Sequence, residues 1–131
     1  MGKWVRNTNC FITRFTVDPA RREEFLAALD ELCRNAESWY DEGCYFAFHG
    51  WARNPNQWVA LAAWKSEDYI NKMRQTPWWQ DCQRRMLECC TEPMIMENIA
   101  GMDWDRSVFD QYPPGSSQVH MKTKSLDVIW V

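Results

Sequence analysis

The stretch Cys44–Trp64, CYFAFHGWARNPNQWVALAAW, decides how this chain folds. Two runs rich in aromatic and small apolar residues flank Arg53-Asn54-Pro55-Asn56, whose residue types favour a turn. The short connection makes the pair an antiparallel hairpin, with strands from Cys44 to about Trp51 and from Gln57 to Trp64. In the second strand Trp58, Ala60, Ala62 and Trp64 share one face, while Val59, Leu61 and Ala63 share the other. Both faces are apolar. The strand is therefore expected to be covered on both sides.

Upstream, residues 9–17 (NCFITRFTV) are aromatic and β-branched with near alternation, which reads as a strand. Asp18-Pro19 then supplies an N-cap and a first-turn proline. Phe25, Leu29, Leu32 and Ala36 follow at helical spacing, predicting an amphipathic helix of about four turns that ends at the polar break Asp41-Glu42-Gly43. Downstream, Ser66 caps a short helix with Glu67 and Asp68 in its first turn and Tyr69, Ile70 and Met73 on its buried side. Thr76-Pro77 opens another helix to about Cys90, and residues 92–102 read as a last strand. The order is β-α-β-β-α-α-β, which predicts a ferredoxin-like α+β sandwich with a four-stranded antiparallel sheet. Helices on one face leave the other bare, and its aromatic content predicts a homodimer. Residues 1–102 form this domain. Residues 103–131 are a C-terminal extension, in which Pro113-Pro114-Gly115-Ser116-Ser117 link to SLDVIWV, expected to add a strand or clamp the partner subunit.

With 131 residues the chain suits one domain, burying roughly two-thirds of its unfolded surface. Fifteen basic against eighteen acidic residues give a net charge of −3. That balance offers no electrostatic footprint for nucleic acid or an anionic membrane. The longest apolar run, Trp58–Trp64, is far short of the ~20 residues that span a bilayer. No apolar leader follows Met1, so a cytoplasmic protein is expected. Six cysteines (10, 33, 44, 82, 89 and 90) include no Cys-x-x-Cys pair, and most sit among apolar neighbours, as structural thiols do. Neither they nor His49 and His120 have the spacing of a metal site, and no Gly-x-Gly-x-x-Gly supports a flavin or nicotinamide. No cofactor is expected.

Several passages together resemble the antibiotic biosynthesis monooxygenase family of dimeric α/β barrels. They are the first strand running into Val17-Asp18-Pro19-Ala20-Arg21-Arg22-Glu23-Glu24-Phe25, then Gly43-Cys44, then Val59 through Trp64-Lys65-Ser66-Glu67. The resemblance covers roughly residues 9–102. It implies varied chemistry: cofactor-free oxidation of anthrone-like phenols or quinols by molecular oxygen, haem degradation, or isomerisation of small signals. The haem-degrading layout would put its helical Trp and haem-ligating His on Met73 and Gln83, so the axial ligand is missing. The oxygenase layout matches Trp64 as its strand-end Trp. Its pocket Asn falls on Ala60, a departure, and its pocket Tyr on Ile70, with Tyr69 one place off. Its helical Arg falls on Arg84, and its strand His is nearest His49.

A cofactor-free oxygenase must hold a flat ring, exclude water and stabilise a phenolate, so it needs apolar walls, a cation and a base near neutrality. His49 is the candidate acid/base, sharing its strand face with Tyr45, Ala47 and Trp51. On the second long helix the apolar stripe is Trp78, Trp79, Cys82, Met86 and Cys89. Arg85 flanks that stripe, whereas Arg84 points away from it. The candidate catalytic set is therefore His49, Trp64 and Arg85. Tyr45, Trp51, Tyr69, Met73, Trp79 and Met86 are expected to bind a small aromatic substrate. The small Ala60, Ala62 and Ala63 beside large tryptophans leave room for that ligand. The expected activity is a monooxygenase acting on a polycyclic phenol, anthrone or quinol in secondary-metabolite biosynthesis. The alternatives are a non-oxidative isomerase or cyclase, and a dimer that binds an aromatic metabolite.

Overall fold

The computed structural model describes residues 9–100, 119–123 and 126–130. Strand β1 (Asn9–Thr16) leads through a 3₁₀ turn (Pro19–Arg21) into helix α1 (Arg22–Gly43), then the hairpin β2 (Cys44–Trp51) and β3 (Gln57–Trp64). Helices α2 (Glu67–Arg74) and α3 (Pro77–Glu88) follow, then β4 (Met94–Ala100). These four strands form an antiparallel sheet in the order β2-β3-β1-β4. The architecture is the ferredoxin-like α+β sandwich. Two further strands, β5 (Val119–Thr123) and β6 (Leu126–Trp130), pair with each other, and β6 runs parallel to β4. The Pro-Pro-Gly-Ser-Ser linker lies outside the described residues. No helix among the described residues is long and apolar enough to cross a membrane.

Two helix boundaries differ from the sequence reading. Asp18 accepts a hydrogen bond from Ala20 N at 2.9 Å, but it caps the 3₁₀ turn, and α1 begins only at Arg22. At its far end α1 runs on through Asp41-Glu42-Gly43 instead of breaking there. The cause is tertiary. Tyr40 lies on Trp64 with ring centres 4.8 Å apart, and Trp39 on Tyr69 at 5.2 Å. That aromatic packing outweighs the weak helix preference of two polar residues and a glycine. Gly43 allows the closest approach, since a Cβ there would overlap the Tyr69 ring. The ring's hydroxyl then donates to Glu42 at 3.2 Å.

The core lies between the helices and one sheet face. Phe11 and Phe15 of β1, Trp58 and Trp64 of β3, and Met94 and Met96 of β4 point into it, following the strand period of two. From the helices come the α1 stripe headed by Phe25, together with Ile70, Met73 and Met86. Each such side chain contributes roughly 1.5–3 kcal/mol through removal from water. The opposite face carries Cys10, Ile12 and Arg14 of β1, Phe46 and Phe48 of β2, Val59, Leu61 and Ala63 of β3, and Ile95, Glu97 and Ile99 of β4. Phe48 is 71% exposed there, Ile99 49% and Phe46 44%.

Candidate active site

A cavity of about 490 Å³ opens between the helices and the core face of the sheet. That volume falls in the range of small-molecule sites. Its shape follows from β3. Ala60 and Ala62 contribute almost no side chain, whereas Trp58 and Trp64 stand at either end of the same strand face. The result is a slot with a low floor and two indole walls, roofed by α1 and α3. Across the strands, register places His49 of β2 beside Ala60, and Ala60 beside Thr13 of β1. Two strand spacings, about 10 Å, therefore separate His49 from β1, a span suited to fused six-membered rings.

His49 stands at the outer end of this row. Its imidazole meets the Trp58 ring edge-on, with centres 5.4 Å apart. The inner end is cationic. Arg74, the last residue of α2, places its guanidinium 4.5 Å from the centre of the Phe11 ring and donates to Met96 Sδ at 3.4 Å. Burial pulls its pKa down to about 10, opposed by the charge of Glu67, so the group remains a cation at neutral pH. Tyr40 of α1 lines the same end, and burial pushes its phenol well above the usual range, so it stays protonated. Arg34, Glu37 and Asp41 of α1 also border the cavity.

Of the residues singled out from sequence, His49, Trp64, Trp79 and Met86 line the cavity. Arg85 does not. It pairs with Glu31 of α1 and, at 3.1 Å, with Asp81, which together hold its pKa above the ordinary guanidinium value. Helical geometry correctly put Arg85 beside the apolar stripe, but that flank faces α1 and not the cavity. Arg84 is likewise outside, bound at 2.7 Å to both Asp81 and Glu88. Tyr45, expected on the face of His49, is instead the extra residue of a β-bulge. Pairing passes from Cys44↔Trp64 to Phe46↔Ala63, and Tyr45 is left 54% exposed beneath the Lys65 ammonium. Trp51 does share the His49 face, but it packs on Trp58 and Phe25 and meets the Arg22 guanidinium. Met73 is fully buried under α2, and Tyr69 closes the α1 end, so neither reaches the cavity.

Tyr40 and Arg74 both escaped the sequence reading although a signal existed for each. Tyr40 continues the α1 stripe, four residues after Ala36. Arg74 lies four residues after Ile70, on a helix face otherwise apolar. All six cysteines are thiols without disulfides, and burial raises the pKa of each. They are poor nucleophiles at neutral pH, as expected of structural thiols. Among the described residues no three His, Cys, Asp or Glu side chains cluster as metal ligands.

The arrangement can hold a flat, mostly apolar molecule with an acidic oxygen toward Arg74. Solved structures share its scaffold. Rv0793 of Mycobacterium tuberculosis superposes with a TM-score of 0.65 at 20% identity, covering 73% of this chain and 96% of that one. A candidate antibiotic biosynthesis monooxygenase of Caulobacter crescentus gives 0.66 at 14% identity, over 75% and 92%. A conserved protein of Methanosarcina mazei gives 0.66 at 17% identity, over 74% and 95%. At such identities these likenesses speak for the fold alone. No curated protein matches the sequence. The sequence pattern of the antibiotic biosynthesis monooxygenase family does match, over residues 10–85, which spans β1 to Arg85 of α3 and holds most of the cavity. The chain belongs to the antibiotic biosynthesis monooxygenase family.

Proposed function

We propose that the chain is a cofactor-independent monooxygenase that oxidises a polycyclic phenol, anthrone or quinol with molecular oxygen. The observation that carries this reading is the slot over Ala60 and Ala62, with His49 at one end and Arg74 at the other. In the reaction the substrate supplies the electrons. His49 takes a proton from the substrate, and the Arg74 cation stabilises the resulting phenolate or enolate. The carbanion form adds oxygen to give a peroxide. Loss of the second hydrogen from that carbon, with cleavage of the O–O bond, leaves a carbonyl and releases water. One oxygen atom thus enters the product as the quinone carbonyl and the other leaves as water. The apolar walls exclude solvent while the anion exists.

The test is aerobic and anaerobic incubation with anthrones and hydroquinones, following oxygen uptake and quinone absorbance. Quinone formation that needs oxygen is expected, falling about 100-fold or more in His49→Ala, as loss of a general base does. Tight quenching of tryptophan fluorescence by these arenes without any oxygen uptake would overturn the oxygenase reading and leave a binding protein or isomerase.

The outer sheet face is read as the seat of a second copy of this chain. Its exposed Phe46, Phe48 and Ile99 are apolar, and its charged side chains on β1–β4, Arg14 and Glu97, neutralise one another at 3.0 Å. A two-fold pairing would bury these groups without stranding a charge. Sedimentation at micromolar concentration should show a dimer that Phe48→Glu converts to monomer. A monomeric wild type would refute the pairing.

A further inference from the structure

The inner end of the cavity is rich in donors, and one of them has no assigned task. Tyr40 lies against Trp64 with an interplanar angle of 47°, which fixes the ring, yet its hydroxyl has no hydrogen-bond partner among the described residues. The hydroxyl is not fully enclosed, and the residue lines the cavity. Arg74 lines the same cavity from a different helix: its guanidinium lies over Phe11, which pairs with Ala62, two residues before the Trp64 that carries Tyr40. Charged or titratable groups acting on the pair include Cys33 and Cys44 on Tyr40 and Glu67 on Arg74, and Arg34, Glu37 and Asp41 border the same cavity. Both thiols are neutral at pH 7, their pKa values raised by burial.

We infer that the Tyr40 hydroxyl and the Arg74 guanidinium together form an oxyanion site, in which Tyr40 donates to the ionised oxygen of a bound hydroxyarene and Arg74 supplies the compensating charge. The chemistry follows from the donor types. A guanidinium has donors and no acceptor, and a phenol held protonated by burial acts as a donor. A phenolate or enolate oxygen accepts from both groups, whereas a protonated amine would be repelled by Arg74 and find no acceptor in the guanidinium. Tyr40 thereby becomes a catalytic residue, supplied by α1, that selects acidic arenes. This assignment rests on the reading of the cavity as an arene site, but not on oxidation taking place there.

The test separates the two. A hydroxyanthraquinone, whose ionisation changes its absorbance, is bound to the wild type and titrated with pH. Its bound pKa should fall by roughly 1–3 units relative to water, the usual effect of a nearby cation and hydrogen bonds to the charged form. Tyr40→Phe keeps the ring on Trp64 and removes only the hydroxyl. It should raise the bound pKa by about one unit with thermal stability unchanged. A lowered bound pKa without oxygen uptake would sustain the oxyanion site while the oxygenase reading fell. An unchanged bound pKa in Tyr40→Phe would overturn the role of Tyr40. Failure of the folded wild type to bind the dye would overturn the site altogether.

Discussion

Replacing Arg74 by methionine is expected to cut oxygenase turnover by about 10²–10³-fold while leaving the protein folded. The argument starts from burial. A guanidinium whose pKa has been pulled down to about 10 by desolvation is held as a cation at some expense to the fold. In the proposed reaction its benefit comes when an anion forms beside it at this buried position, where charges interact more strongly than in water. Methionine keeps a long flexible side chain against Phe11 and Met96 and removes the charge. Thermal stability should therefore hold or rise slightly, while oxygen uptake and phenolate binding collapse. Arg85→Met is the matching control. That side chain is bound to Glu31 and Asp81 outside the cavity, so turnover should stay within a few-fold of wild type. Full activity in Arg74→Met, or collapse in Arg85→Met, would remove Arg74 from the site.

Trp64→Ala is expected to lower the stability by about 3–5 kcal/mol, as large-to-small changes of buried aromatics do. Trp64 is 2% exposed and lies between Tyr40 at 4.8 Å and Tyr69 at 6.2 Å. Removing the indole would therefore unseat the last turn of α1 and the start of α2 together. In a domain of this size the melting temperature should fall by on the order of 10–20 °C. Urea unfolding of Trp64→Ala against Trp64→Phe separates the two roles of this residue. The phenyl ring retains most of the packing, so activity lost in Trp64→Phe would report on the cavity wall and not on the core. A loss below about 1 kcal/mol in Trp64→Ala would show that Trp64 is not a support of the fold.

The difference between the residues expected at the cavity and those that line it has a specific origin in the fold. Period-two alternation in β3 told which residues share a face, and it correctly grouped Trp58, Ala60, Ala62 and Trp64. The same reasoning failed for Tyr45, because a bulge inserts one residue and the face count slips by one. Helical periodicity placed Arg85 on the flank of the α3 stripe. It could not say that Glu31, 54 residues earlier in the chain, would come to lie against that flank. Met73 and Tyr69 were rightly marked as buried-side residues, yet burial against other side chains and exposure to a cavity look the same in a sequence.

Local patterns thus determined the β-α-β-β-α-α-β order, the hairpin at Arg53–Asn56 and the grouping of Trp58, Ala60, Ala62 and Trp64 on one face of β3. These depend on backbone periods and turn residues, which act over a few positions. The extension of α1 to Gly43, the exclusion of Arg85 and the meeting of Tyr40 with Arg74 were decided only by the tertiary structure. Each depends on which elements pack together, and contacts between residues distant in sequence leave no local period to read.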